Sequence, residues 1–398
     1  MVDGPRPMAE ADIDAAAAIQ AEAFGGSVEE GIGRYHNGPR YTWRDSWVFE
    51  RNAEIAAAAI VIPATWWYRG QSYPVSAIAG VAVRPIDRRR RVAHQLMHAI
   101  LQADLVLGRP FSLLYPFQHG FYRRLGYGSV GLMHYWRLPL QHMRDEPALR
   151  AHVRLLREND RPCAEELFAR SLRERPEGGL ERTASHWQRR WGAETKWVVY
   201  DDGDIRGFLG YRVESGTLEA RDLVATTPEA ERGLWSFVAA QVEQQSSASY
   251  LSPISKPLWA TLREPYMFEG PQHGFIINDV AGLTMSFMAR GIIWSVALQA
   301  RAFAPELNTH LAIELADPVF GPQSFDLRLA DGHATVKDTT ATPDVRCDVS
   351  VFSQLYCGAL SAANARWYGL LEADDASVAL LDRAFPPGPP FIAPFDWF

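Results

Sequence analysis

Between Val81 and Ala93 the sequence reads VAVRPIDRRRRVA: a β-branched run, a proline, four consecutive arginines, then the start of a helix. Few folds accommodate that order. Over residues 91–107 the apolar positions Val92, Leu96, Ile100, Leu101 and Leu105 recur at three- and four-residue spacing, so one helix face must be buried. Gly108 and Pro110 stop the helix. A strand that enters a turn opening such a helix aims unpaired backbone N–H groups at whatever lies on the helix end. With arginines crowded there, the junction suits a pyrophosphate. A solvated basic face or a nucleic-acid patch would show the same residues.

The flanking pattern is that of one α/β unit. Residues 8–24 are alanine-rich, end at Gly25-Gly26 and read as a helix. Residues 54–67 and 72–83 read as a hairpin turned at Arg69-Gly70-Gln71. Beyond the junction, 111–115 reads as a buried strand, 117–125 as a short helix capped by Gly126, and 130–138 as a closing strand. The order restarts near Ala151: strand 153–156, helix 161–172, hairpin 196–200 and 205–213, strand 218–224, helix 229–244, and a strand from Tyr250. This is a degenerate internal duplication. Its second copy has TPEAER, from Thr227 to Arg232, in place of the arginine turn, so acid replaces base and a structural role is expected.

A third region starts near Met288, with strands over 311–315, 325–329 and 333–337 and helices over 351–357 and 375–385. The chain closes on PPGPPFIAPFDWF. Phe391, Phe395, Trp397 and Phe398 would be poorly solvated in a free tail, so the tail is expected to dock.

The 398 residues carry a net charge of −7, which argues against a general affinity for nucleic acid. It suits a cationic small substrate better. Cys163, Cys347 and Cys357 are scattered, without disulfide or metal-ligand spacing. His94 and His98 lie four apart but lack a third ligand, so no metal is expected. The N-terminus has acidic residues where a signal peptide is cationic, and no apolar run reaches membrane-spanning length. A cytoplasmic protein without membrane contact is the expectation.

A second motif, LYPFQHGFYRRLGYG, runs from Leu114 to Gly128. Tyr122 and Tyr127 are each compatible with plain core roles, but a tyrosine opposite a phosphate-binding helix end can also protonate a leaving group. Together, the strand–VAV-x-P-x-x-R-R-R–helix junction, PFQHGFYRRLGYG, the repeated unit and the terminal phenylalanine resemble the Eis (enhanced intracellular survival) acetyltransferases of the GNAT superfamily. The likeness covers essentially the whole chain.

That resemblance implies an α/β (α+β) architecture of tandem GNAT-like domains followed by a sterol-carrier-like domain. The divisions are 1–138 (catalytic), 139–285 (degenerate) and 286–398, whose tail enters the active site. It implies an acetyl-CoA-dependent N-acetyltransferase acting on an amine of a polyamine- or aminoglycoside-like cation. Val81 and Val83 would face the thioester arm through their backbone, and Arg88, Arg89, Arg91, Val92 and Ala93 would wrap the pyrophosphate. Phe117 and Gln118 would complete the cofactor site. Tyr122 would be the general acid and the Phe398 carboxylate the base, with Asp396 adding negative potential. A homo-hexamer is implied as well.

Two departures matter. The superfamily has glycine where this chain has Arg91, which is harmless at a helical φ and strained at a positive one. A well-studied subset has an acidic pocket residue near the end of its first helix, where this chain has Gly26, so aminoglycoside specificity does not carry over. Two other readings use the same residues: a protein-lysine acetyltransferase, and a lipid or small-ligand carrier.

Overall fold

The computed structural model describes residues 3–192, 194–264 and 279–398. The chain opens with β1 (Gly4–Pro7), α1 (Ile13–Phe24), α2 (Val28–Asn37), β2 (Ser46–Arg51), β3 (Glu54–Tyr68) and β4 (Gln71–Val83). The arginine turn leads into α3 (Val92–Val106), β5 (Phe111–Leu114) and α4 (His119–Arg123). The alanine run forms α1 and Gly25 ends it at φ 78°. α2 was hidden in the sequence by its two glycines; Ser27 fixes its start by accepting the Glu30 N–H at 3.1 Å.

β1 to β4 form an antiparallel run, and β4 then pairs in parallel with β5. Ala58 faces Ala82 and Ile60 faces Ala79, so β4 carries one extra residue there. Gly80 absorbs this bulge at φ 56°, and its carbonyl accepts from Gln20 Nε2 at 2.8 Å. A side chain at Gly80 would strike that Gln20 nitrogen at 2.6 Å.

Two strands change sheets relative to the sequence reading. The segment expected to close the first unit forms the strand Leu132–Pro139, which lies in the second sheet between Ser247–Pro253 and Gly282–Met285. Its Trp136 and Leu138 are buried in the second core. The place beside β5 is taken by Met288–Gly291, with Gly128–Ser129 beyond it. MARG is short and holds an arginine, so no alternation marks it as a strand. Arg290 is tolerated in the interior because Asp317 takes Nη2 at 2.7 and 2.8 Å and the Leu125 carbonyl takes Nη1 at 2.6 Å.

In the second sheet Lys196–Asp201, Ile205–Glu214 and Thr217–Ala225 are consecutive antiparallel neighbours, and Thr217–Ala225 runs parallel to Ser247–Pro253. A five-stranded sheet forms the third unit. The first and third units share one core. Phe111 lies 5.3 Å from Trp66 and 5.2 Å from Tyr356, and Trp294, Phe352 and Phe385 continue the cluster. Each aromatic pair adds about 0.5–1.5 kcal/mol beyond its buried area, so these units are not separable. No helix of the described residues is long and apolar enough to cross a membrane.

Candidate active site

β4 and β5 stay paired only from Val75–Phe111 to Ile78–Leu114. β4 then runs on to Val83 paired with β3 only, so residues 79–83 present an edge with no strand partner toward β5. Unpaired backbone groups of this kind seek a ligand or water. Val81 and Val83 lie on that edge, both half-buried.

The turn after Val83 sorts its arginines into two sets. Arg84 is held by Glu54 at 2.6 Å and by Asp87 at 2.8 Å. Arg88, Arg89, Arg90 and Arg91 are exposed, and among the described residues none has a carboxylate partner. Arg88 folds back so that Nε donates to the Val83 carbonyl at 3.3 Å. Arg89 and Arg91 both take left-handed backbone, at φ 60° and 62°. The glycine position in the superfamily pattern is therefore a positive-φ position, and Arg91 bears a strain of about 1–2 kcal/mol there. Its side chain still points to solvent. Left-handed residues in such a turn help to gather N–H groups into an anion-binding concavity.

Arg91 caps α3 with no side-chain hydrogen bond, and the first turn of the helix holds no acid. The first-turn N–H groups, those of Val92 and Ala93 included, and the positive end of the helix dipole are thus left for a ligand. Val92 offers only its backbone, because its side chain is core. The donors, charge and open edge fit a thioester arm leading to a pyrophosphate.

Tyr122, on α4, is 3% exposed, and its hydroxyl has no hydrogen-bond partner among the described residues. Burial pushes its pKa up to about 12. It therefore stays protonated across the physiological range. Phe117 is exposed and packs edge-on to the Tyr122 ring at 5.7 Å, and Gln118 is an exposed residue at the start of the same helix.

The tail docks, as its aromatics required. The Pro386 carbonyl accepts from Arg69 Nη2 at 2.6 Å, and the Phe391 N–H donates to the Glu177 carbonyl at 3.1 Å. Phe395 has Arg190 and Arg221 over its ring, each 4.4 Å from the centroid. Asp396 forms a buried two-point pair with Arg182, Nε–Oδ1 2.7 Å and Nη2–Oδ2 2.9 Å. Arg182 also pairs with Asp222, so the trio keeps one more negative than positive charge, and Asp396 borders the cavity beside Phe398.

The tail lies in the second sheet's counterpart of the β4–β5 splay. Thr217–Ala225 leaves Ser247–Pro253 after Ala220–Tyr250. Asp222, just past that point, binds Arg182 Nη1 at 2.6 Å, Phe395 packs in one cluster with Val224, and Phe391 and Ala393 pack with Leu251, with a cavity of about 320 Å³ left beside them. At the helix that follows, Thr227 accepts the Ala230 N–H at 3.2 Å, and Glu229 and Glu231 occupy the first turn.

The last residue, Phe398, returns to the first unit. Its ring lies 4.9 Å from Tyr115, the residue after β5, and packs on the cluster holding Ile60, Ile62 and Ala77. It borders a cavity of about 260 Å³ whose walls include Arg40, Thr65, Glu181, His186 and Asp396. Of these lining residues only Phe398 and Asp396 were marked in the sequence. The rest come from segments far apart in the chain and carry no local signal. Tyr115 was read only as the end of a strand, yet its hydroxyl is buried without a partner, and burial followed by Asp396 raises its pKa well above the usual value.

The profile of an acetyltransferase (GNAT) domain matches residues 5–130, a second GNAT acetyltransferase profile matches 178–284, and that of a sterol carrier protein domain matches 295–393. N-acetyltransferase Eis of Mycobacterium tuberculosis is 25% identical over 341 residues, 81% of each chain. An uncharacterized N-acetyltransferase of Streptomyces griseus is 26% identical over 319 residues, 73% of each chain. The crystal structure of a GCN5-related N-acetyltransferase from Anabaena variabilis superposes with a TM-score of 0.83 at 20% identity, covering both chains fully. With the open basic splay, the filled second splay and the sterol-carrier-like third unit, these matches make the chain an Eis-like N-acetyltransferase of the GNAT superfamily.

Proposed function

We propose that this protein transfers acetyl to an amine held beside Phe398, with Tyr122 as general acid and the terminal carboxylate as base. Acetyltransferases of the superfamily use acetyl-CoA as cosubstrate. That cosubstrate supplies a thioester carbonyl and a thiolate leaving group. The observation that carries the reading is the open edge of residues 79–83, flanked by unpaired arginines on one side and by the Phe398 cavity on the other.

In this reading Val81, Val83, Val92 and Ala93 hold the cosubstrate through backbone groups, Arg88, Arg89 and Arg91 through charge, and Phe117 and Gln118 cover it. A primary amine has a pKa of about 10.4 and arrives protonated. The terminal carboxylate, with a pKa of about 3.5, attracts that ammonium and passes its proton to water. The amine nitrogen then forms the new C–N bond as the C–S bond breaks. A backbone N–H of 81–83 holds the charge that develops on the carbonyl oxygen. Tyr122 donates its hydrogen to the departing sulfur and regains a proton from solvent. The 1–138, 139–285 and 286–398 division assigns this chemistry to the first unit, a scaffold role to the second and delivery of the tail to the third. A cytoplasmic homo-hexamer belongs to the same reading by family resemblance.

The test is acetyl-CoA consumption with a panel of polyamines, aminoglycosides, amino acids and lysine peptides. Turnover with at least one amine is expected. Acetyl-CoA binding without turnover of any amine would remove the reading.

A further inference from the structure

The Tyr122 hydroxyl makes no hydrogen bond among the described residues, so this side chain is placed by what holds its backbone and packs on its ring. The Tyr122 carbonyl accepts from the Leu125 N–H at 2.9 Å and from the Tyr127 N–H at 3.2 Å. The Tyr127 ring stands edge-on to the Tyr122 ring, with centroids 6.0 Å apart. Where residues 125–127 are fixed, Tyr122 is fixed with them.

A buried polar row ties those residues to the sheet. Ser76 and Ser112 are partners across β4 and β5, and Arg290 is the partner of Ser112 on its other side. All three are fully buried. Partners in register share one face of a sheet. Here it is the face that meets α3, because Ser76 donates to Asp104. Arg290 Nη1 donates to the Leu125 carbonyl at 2.6 Å. Gly126 leaves it room, since a Cβ there would come within 1.8 Å of that nitrogen. The Tyr127 hydroxyl lies 2.8 Å from Ser112 Oγ, which lies 3.0 Å from Ser76 Oγ. At the far end, the second Asp104 oxygen accepts from Arg109 Nη1 at 2.9 Å, the partner that a buried carboxylate needs.

This chain has one direction. A hydroxyl carries a single hydrogen, and a carboxylate only accepts. Ser76 gives its hydrogen to Asp104, so Ser112 donates to Ser76 and Tyr127 donates to Ser112. Apolar side chains could fill such a row with little loss of stability. They would not fix one arrangement as a fully satisfied polar chain does. The row lies two residues before Ile78–Leu114, the last pair before β4 and β5 part, at the root of the open edge.

Resting on the reading of Tyr122 as general acid, we infer that Tyr127 is a positioning residue for acetyl transfer. Through Ser112, Ser76 and Asp104 it fixes the Tyr122 hydroxyl relative to the open edge of β4. A reacting group misplaced by about 1 Å can lose about a hundredfold in rate, so the tie has a measurable effect.

The test is single-turnover acetyl transfer at saturating acetyl-CoA. The acceptor is whichever of spermidine, an aminoglycoside, free lysine and a lysine peptide the parent chain acetylates fastest. Tyr127→Phe keeps the ring and is expected to slow transfer about tenfold or more, with acetyl-CoA affinity unchanged. Ser112→Ala breaks the same bond from its other side and is expected to slow transfer as far, and both together no further. In a Tyr122→Phe background neither change is expected to slow transfer more, because the effect runs through the hydroxyl already removed. A merely structural loss would lower the rate by the same factor in both backgrounds. That outcome, a full rate in Tyr127→Phe, or a loss of acetyl-CoA affinity overturns the inference and leaves the general acid in place. A full rate in Tyr122→Phe alone, or no turnover of any amine by the parent, removes the general-acid reading and this inference with it.

Discussion

In the first unit β4 parts from β5 after Ile78, and the edge it exposes meets an uncapped helix and four unpaired arginines. In the second unit Thr217–Ala225 parts from Ser247–Pro253 after Ala220, and there the chain's own tail packs against both strands, Phe395 with Val224 and Phe391 with Leu251. The helix beyond that second gap is capped by Thr227 and begins with acid. The same splay of two parallel strands thus appears once open and once filled. A parted strand pair leaves backbone donors and acceptors unmet, and something must meet them. One copy leaves its edge open; the other meets the need internally and so anchors the tail whose last residue returns to the first copy.

Several substitutions can break or sharpen this contrast. The largest effect is expected at the open splay: Tyr122→Phe should slow acetyl transfer by about 10²–10⁴-fold with acetyl-CoA affinity retained. Steady-state kinetics paired with a binding titration would show it, and an undiminished rate would remove Tyr122 from the chemistry.

At the filled splay, Arg182→Ala strands Asp222 and Asp396 as buried charges and should cost about 3–5 kcal/mol in a denaturant titration. Limited proteolysis should then cut the tail. A stable variant with a protected tail would mean that the arginine pair is not the anchor.

His186, in the lining of the Phe398 cavity, should make the protein acid-sensitive. His186 has a folded pKa of about 3 against about 6.5 in the unfolded chain. The unfolded state therefore takes up a proton that the folded state refuses, and stability is lost as pH falls from about 6.5 toward 3. His186→Gln should flatten that limb of the stability–pH curve relative to the parent. Parallel curves would show that the imidazole is not held neutral.

The smallest effect separates the two helix ends. Thr227→Ala removes a cap and should cost about 1 kcal/mol of stability while leaving the acetyl-CoA KM unchanged. A raised KM would give the second unit a part in cofactor binding.

The parts legible in the sequence were those encoded locally. Strand, proline, arginines and periodic helix lie within 27 residues, from Val81 to Leu107, so the strand–turn–helix junction could be read. The positive φ at Arg91 was marked by a missing glycine but could not be settled without coordinates. The exchange of Leu132–Pro139 for Met288–Gly291 was not legible, because a four-residue strand with a buried arginine has no alternation to detect. The Phe398 cavity was hidden for a different reason. Arg40, Tyr115, Glu181 and His186 are each unremarkable among their neighbours, and only the tail's path between the sheets brings them together.

The central claim is that the filled splay exists to deliver a free carboxylate to the open one. It is tested by comparing single-turnover acetyl transfer in the native chain and in a chain extended by one glycine beyond Phe398, both saturated with acetyl-CoA. The account predicts equal acetyl-CoA binding and a transfer rate at least about a hundredfold lower in the extended chain. Equal transfer rates would contradict it.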